Sequence, residues 1–206
     1  MQDPKPLVSV RSYRPEDFAH VKRLFVEVGV GHIFARANGR DLGCSHACLD
    51  VDRCCSQGEI ASNVPDTPEN KVRIEVGRQY IEDSLKGDLA DISTFYMKPK
   101  GGHFWVAVDA SNEQVIGCVG LEQKADHGEL RRMYVDAKMR NRGIGKLLVD
   151  TLFAFAKTYG HDRVELTTLF AAKDTIRFYE RMGFKQTHTS LYDQRLEIAH
   201  LKCPLV

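Results

Sequence analysis

The sequence has few extreme features, and what it lacks excludes several classes of protein. Its 29 basic and 28 acidic residues leave a formal net charge of +1, which gives nucleic acid no electrostatic attraction to the chain. No apolar run approaches the ~18 residues of a membrane-spanning helix. Residues 1–6 are polar and unlike a secretory signal. We therefore expect no nucleic-acid partner, no membrane association and a cytoplasmic location, with the nucleus as the alternative.

Cysteine is unevenly distributed, because four of the six cysteines lie between residues 44 and 55, beside His46. Their spacing, C-x3-C-x5-C-C, is not one of the common zinc signatures. We expect a loop of reduced thiols and no metal, with a metal-binding or redox loop as the alternative. Cys118 lies in a strongly apolar run and is expected to be a small buried side chain.

Hydrophobic periodicity predicts an α+β fold in a single domain over residues 1–206. The expected strands are 7–13, 103–109, 114–121, 129–135, 163–169, 184–190 and 195–203. One expected helix begins at residue 14, and three more cover 69–92, 143–160 and 171–182. An antiparallel meander followed by strand, helix, strand, helix and hairpin indicates a mixed, mostly antiparallel sheet of about seven strands flanked by helices. Residues of about 36–68 lack periodicity and are expected to form an irregular insertion that contains the clustered cysteines.

The most informative segment covers residues 133–146, M-Y-V-D-A-K-M-R-N-R-G-I-G-K. A strand ends in it and an amphipathic helix begins near Gly143, so glycines lie where the backbone can approach a ligand closely. Unpaired N–H groups at a helix start form an anion site, and Arg140, Arg142 and Lys146 add positive charge. The segment therefore predicts a ligand that contains a phosphate or pyrophosphate.

Two common phosphate-binding motifs do not fit this segment. A P-loop needs G-x-x-x-x-G-K-[ST], but Leu147 follows Lys146 and no glycine lies five residues before Gly145. The dinucleotide fingerprint G-x-G-x-x-G would need glycine at Leu148. A plain glycine-rich turn is the remaining alternative, and the arginines and the flanking strand and helix count against it.

With its flanking strand and helix, the motif R-x-x-G-x-G at residues 140–145 resembles the acetyl-CoA motif of the GNAT superfamily of N-acetyltransferases. A second segment, F-Y-E-R-M-G-F at residues 178–184, is similar to that family's F-Y-E-x-x-G-F. The resemblance covers roughly residues 100–190 and implies a sheet splayed open at its fourth and fifth strands, with coenzyme A in the cleft. It implies cofactor contacts at Met133, Tyr134, Val135, Arg140, Asn141, Arg142, Gly143, Ile144, Gly145 and Lys146.

A narrower resemblance is to the camello-like eukaryotic acetyltransferases, through residues 89–92, 104–107 and 115–120. Those relatives carry a hydrophobic membrane segment where this chain has the polar stretch 36–68, so we expect their fold but not their membrane location or their substrates. Many members of the wider superfamily have Asn seven residues before the tyrosine of the second motif. That position is Ala172 here, and the corresponding cofactor contact is not expected.

The resemblance also implies the chemistry: direct attack of an amine on acetyl-CoA in a ternary complex, without a metal. Tyr179 is the candidate acid for the departing thiolate, since a phenol with a pKa near ~10 stays protonated at neutral pH. A tyrosine that only packs in the core is the alternative. Glu129 is the candidate base, because its spacing to Arg140 is similar to that of the base in histone-acetylating members. Glu122, ordered water, or a structural ion pair at Glu129 are the alternatives.

We therefore expect an N-acetyltransferase that acts on a primary amine of a small molecule or amino acid, because the near-neutral charge gives no attraction to basic protein tails. Acetylation of a protein lysine or N-terminus is the first alternative. A non-catalytic CoA-binding module is the second. Both a monomer and a homodimer are open, and residues 29–92 are expected to determine the choice of acceptor.

Overall fold

The computed structural model describes residues 7–30, 67–192 and 196–205, which contain seven strands and four α-helices. The strands are β1 (Val8–Ser12), β2 (His103–Asp109), β3 (Gln114–Gln123), β4 (Gly128–Val135), β5 (Arg163–Leu169), β6 (Lys185–Tyr192) and β7 (Leu196–Pro204). The helices are α1 (Phe18–Leu24), α2 (Pro68–Lys86), α3 (Ile144–Thr158) and α4 (Lys173–Arg181). Single 3-10 or π-helical turns lie at Pro15–Asp17, Phe25–Val30, Ser93–Met97 and Ala137–Met139.

All seven strands belong to one sheet, in the order β1-β2-β3-β4-β5-β7-β6. Only the β4–β5 pair is parallel, and its pairing is confined to Gly128 with Val164 and Glu129 with Glu165. Every other neighbouring pair is antiparallel. The predicted α+β fold, with a mixed sheet splayed at its fourth and fifth strands, is confirmed. The single domain over 1–206 stays a prediction, and residues 36–66 of the expected insertion lie outside the described ranges.

Apolar side chains cover both faces of the sheet, so the core has two parts. One face packs on α3 and α4, where Ile144, Leu148 and Leu152 point inward at the four-residue spacing of a helix. The other packs on α1 and the described part of α2. Phe104 and Trp105 are both buried, each in a different part of the core, because both faces of β2 are covered. Cys118 is fully buried, as expected, and burial raises the pKa of its thiol to about 12.

A bulge in β4 changes which side chains share a face. The β3–β4 register shifts between Cys118 and Gly120, and Arg132 adopts a left-handed backbone with φ of 52°. Before the bulge, Leu130 points toward α3 and Arg131 away from it; after it, Met133 again packs on the α3 side. Arg131 and Arg132 consequently both point toward the face of α1 and α2.

Helix α2 ends at Lys86, six residues earlier than the sequence suggested. The chain then turns inward, where the N–H of Leu89 donates to the carbonyl of Ser84 and both Asp88 and Leu89 are buried. This turn brings a carboxylate under the sheet next to the β4 bulge. Across the described ranges, no helix combines the length and apolar character needed to cross a bilayer.

Candidate active site

Among the described residues, the separation of β4 and β5 leaves one edge of β4 without a strand neighbour. Beyond Glu129, β4 pairs within these residues only with β3, while β5 continues along β7 through Leu166 and Leu201. Backbone N–H and C=O groups of a strand need partners, so this edge can bind an extended ligand as an additional strand would. The predicted contacts at residues 133–135 lie on this edge.

The glycine turn follows directly after the end of β4. Asp136 accepts a hydrogen bond from the N–H of Lys138 and closes the short turn. Asn141 and Gly143 then take positive φ values of 60° and 83°, and α3 begins at Ile144. Gly143 is the N-cap and contributes no side-chain oxygen, so the first N–H groups of α3 have no side-chain cap partner among the described residues. This geometry suits an anion, and the anion site itself stays a prediction.

The charged residues of this turn differ in their surroundings. Arg140 and Arg142 are exposed, and so is Lys146, whose ammonium pairs with Asp150 at 2.5 Å. Ile144, by contrast, is buried in the core, so only its backbone is available to a ligand. The three basic side chains therefore lie on the exposed surface around the start of α3.

Met133 and Tyr179 meet beside this helix start. The Tyr179 hydroxyl donates to the Met133 sulfur at 3.6 Å, and the tyrosine ring packs edge-on against Phe178 and Phe184. A Cβ added to Gly145 would lie 3.1 Å from the Met133 methyl group and 3.2 Å from the Phe178 ring. The two sequence motifs are thus brought together, with Gly145 making room for Met133.

Burial raises the pKa of Tyr179, so its hydroxyl stays protonated. A thioether is a weak acceptor, which means that the proton is held by no strong partner among the described residues. A sulfur atom that develops negative charge next to this hydroxyl would be a better acceptor. Tyr134 points the other way: its ring packs 5.8 Å from that of Phe25, so it can offer only backbone groups to a ligand in the cleft.

Glu129 lies on the face of the sheet opposite to Met133 and Tyr179, within a group of four charged side chains. It is paired across strands with Glu122, and Lys124 joins the two carboxylates at 2.6 Å to Glu122 and 3.2 Å to Glu129. Arg131 also binds Glu122, at 2.7 Å. Burial raises the pKa of Glu122, but the hydrogen bonds from Lys124 and Arg131 outweigh it and hold that pKa below its usual range.

Behind this group, Arg132 is held in a buried network that sequence patterns did not indicate. Its guanidinium donates to both oxygens of Asp88 and to the hydroxyl of Tyr80, and the Tyr96 hydroxyl also donates to Asp88. Arg132 is the residue of the bulge that has a positive φ, so the network stabilises the shape of β4 at the cleft. The only sequence clue was two adjacent arginines in a strand.

Two histidines on neighbouring strands stack on each other. The rings of His188 and His200 lie 4.1 Å apart on β6 and β7, and His200 is within 2.8 Å of the Ser190 hydroxyl. Burial and the neighbouring His188 lower the pKa of His200. Among the described residues, no three His, Cys, Asp or Glu side chains form a metal-binding group. The four clustered cysteines lie outside the described ranges.

Residues 100–186 match the family model described as "Acetyltransferase (GNAT) domain". Over 109 residues the chain is 38% identical to N-acetylaspartate synthetase of Danio rerio, covering 52% of this chain and 38% of that protein. Over 120 residues it is 34% identical to human N-acetyltransferase 8, covering 55% and 52%. The chain thus spans about half or less of the length of these relatives.

Among solved structures, a GNAT-family acetyltransferase from Staphylococcus aureus superposes with a TM-score of 0.65 at 18% identity, covering 97% of this chain and 100% of that one. At this identity the likeness concerns the fold alone. The resemblance to the GNAT superfamily is confirmed by the family model and by the two relatives, both eukaryotic, in line with the narrower resemblance.

Proposed function

Since the chain belongs to the GNAT superfamily by its residues 100–186, we propose that it is an acetyl-CoA-dependent N-acetyltransferase that acts on the primary amine of a small molecule or amino acid. The observation that carries this proposal is the Tyr179 hydroxyl, held 3.6 Å from Met133 next to the opening between β4 and β5. A protonated phenol with only a thioether as partner suits the site of a departing thiolate.

The residues present fit coenzyme A. The uncapped start of α3, with Arg140 and Arg142 beside it, suits the pyrophosphate. The free edge of β4 suits the amide groups of the pantetheine arm, which can pair with the strand backbone. When bound, acetyl-CoA supplies the acetyl thioester.

The protein's own part in the reaction is positioning and proton transfer. Backbone N–H groups on the edge of β4 that faces away from β3, beyond its pairing with β5, can stabilise the negative charge that develops on the acetyl oxygen. Tyr179 donates its proton to the leaving sulfur. Glu129, on the other face of the sheet, accepts a proton from the acceptor's ammonium, directly or through water, and the neutral amine that results attacks the acetyl carbon. Direct attack in a ternary complex requires no covalent enzyme intermediate.

The acceptor is assigned from charge and from the relatives. The group of Glu122, Lys124, Glu129 and Arg131 carries both signs, which suits a small zwitterion better than a uniformly basic peptide. One relative is named for the synthesis of N-acetylaspartate, the acetylated form of an amino acid. We therefore favour a small amine acceptor over a protein.

The test is acetyl-CoA-dependent release of free thiol with a panel of amino acids, small amines and lysine peptides. We expect turnover with at least one small amine and little with the peptides. Preferential turnover of peptides would overturn the assigned acceptor. If acetyl-CoA binds, seen as thermal stabilisation, and no amine in a broad panel is acetylated, a CoA-binding module would replace the enzyme.

A further inference from the structure

Two adjacent arginines, Arg131 and Arg132, point to the same face of the sheet but differ in how their donors are used. Arg132 is buried, and its Nε and both terminal nitrogens donate to Asp88 and Tyr80. Arg131 donates from one terminal nitrogen to Glu122 and makes no other hydrogen bond to a described residue. Its side chain is 30% exposed. One arginine is thus fully engaged within the fold, and the other retains donors for a ligand.

The location of Arg131 places those donors beside the opening between β4 and β5. Glu129 is the last residue of β4 that pairs with β5, and Arg131 is the next residue on the same face, beside the opening. The two side chains start about 7 Å apart along the strand. An amino acid whose ammonium binds the carboxylate and whose carboxylate binds the guanidinium spans this gap with hydrogen bonds of about 3 Å at each end.

We propose that Arg131 is the specificity-determining residue of the acceptor site and that it binds the carboxylate of an amino-acid acceptor. A guanidinium presents paired N–H donors that match a carboxylate, and its hydrogen bonds to a charged partner are stronger than neutral ones. Glu122 holds one end of the group at 2.7 Å and so orients the remaining donors. This inference rests on the proposed acetyltransferase function and adds the acceptor class and the residue that selects it.

The test compares each of a panel of L-amino acids with its own carboxamide, in the parent 206-residue chain and in its variants Arg131→Met and Arg131→Lys. The carboxamide lacks the negative charge of the amino acid. In the parent protein we therefore expect the carboxamide to have a KM about 10-fold higher or more, with kcat little changed. Arg131→Met is expected to abolish this discrimination, so that acid and amide have similar kcat/KM. Arg131→Lys, which keeps the charge, is expected to restore part of it. Arg78→Met, on the exposed surface of α2, is the control for loss of an arginine elsewhere.

Thermal denaturation of each variant shows whether the fold is intact, and the conservative Arg131→Lys variant covers the case in which Arg131→Met does not fold. An unchanged ratio of acid to amide in a folded Arg131 variant would overturn the proposal, and so would a parent protein that prefers the amides. If the parent acetylates no amine, the proposed function fails separately. The Arg131 assignment is then judged by whether the same amino acids, in the presence of coenzyme A, stabilise the parent thermally but not Arg131→Met; absence of that difference overturns it as well.

Discussion

Asp88 and Arg132, 44 residues apart in the chain, form a buried two-point ion pair with N–O distances of 2.8 and 2.5 Å. Both side chains are 5% exposed or less. The guanidinium also lies 5.3 Å from the centre of the Phe25 ring, which joins the π-helical turn after α1 to the same network. The pair connects the turn after α2 to the bulge of β4 and so fixes the strand that borders the cleft.

We predict that Asp88→Asn lowers the free energy of unfolding by about 3 kcal/mol or more, because it leaves the Arg132 charge buried without a counter-ion. Denaturant unfolding measures this change. Asp83→Asn, an exposed carboxylate on α2, is the matched control and should change stability by less than about 0.5 kcal/mol. A loss at Asp88 no larger than at Asp83 would contradict the role assigned to the pair.

The same pair predicts a pH dependence. Burial raises the pKa of Asp88, but the hydrogen bond and charge of Arg132 and the hydrogen bond of Tyr96 outweigh it, so the folded pKa lies below its usual range. A depressed folded pKa gives stability that is complete above the unfolded pKa of ~3.9 and is lost as pH falls through the folded pKa. The stability difference between the parent and Asp88→Asn should therefore be constant near neutral pH and shrink in acid. A difference that does not change between pH ~6 and ~2.5 would show that Asp88 contributes nothing to the acid response.

Local patterns in the sequence were sufficient for most of the fold. The strands of the meander and helix α3 were predicted to within two residues, because alternation of period two and an uninterrupted helical stripe are local properties. The glycine turn and Tyr179 were predicted from short motifs whose residues are close in sequence. The end of α2 could not be found this way, since the turn that buries Asp88 depends on an arginine 44 residues later.

The proposed acceptor site was harder to predict for the same reason. Alternation along β4 predicts that Glu129, Arg131, Met133 and Val135 share a face. Glu129 and Arg131 do, but the bulge at Arg132 moves Met133 and Val135 to the other face and adds a second arginine to the first. Lys124 reaches Glu129 from a turn that the sequence marks only as a loop. These contacts arise from strand register and a positive φ value, neither of which is encoded in a local pattern.

The two glycines of the turn should have separable roles. Gly143 has a φ of 83° and no atom of a described residue within 4 Å of an added Cβ, so Gly143→Ala should cost about 1 kcal/mol of stability with a small effect on binding. Gly145→Ala should retain stability but weaken acetyl-CoA binding about 10-fold, since its methyl group would displace Met133 or Phe178 beside Tyr179. Thermal denaturation and calorimetric titration with acetyl-CoA measure the two effects. Equal losses of affinity in both variants would contradict the separate roles.

Tyr179→Phe should lower kcat by about 100-fold while acetyl-CoA affinity is retained, because the change removes one proton donor and keeps the ring that packs against Phe184. Tyr159→Phe is the matched control, as Tyr159 is 54% exposed at the end of α3. Steady-state kinetics and calorimetry distinguish the two quantities. If Tyr179→Phe has the same kcat as the parent, Tyr179 is not the proton donor and only packs in the core.

Glu129 and Glu122 face each other across β3 and β4 and share Lys124, yet they should respond differently to replacement. Glu122 is bound by both Lys124 and Arg131 and its pKa is held low, so it is a poor proton acceptor. Glu129→Gln should therefore lower kcat by about 100-fold and remove the acidic limb of the pH–rate profile.

Glu122→Gln, with the same change in shape and charge, should instead raise KM for an amino-acid acceptor, because it releases the guanidinium of Arg131. The pH–rate profile of kcat and the KM of each variant provide the comparison. If Glu122→Gln removes the acidic limb and Glu129→Gln does not, the base is Glu122. If both variants keep that limb, ordered water removes the proton, and the carboxylates act only by holding Lys124 and Arg131 in place.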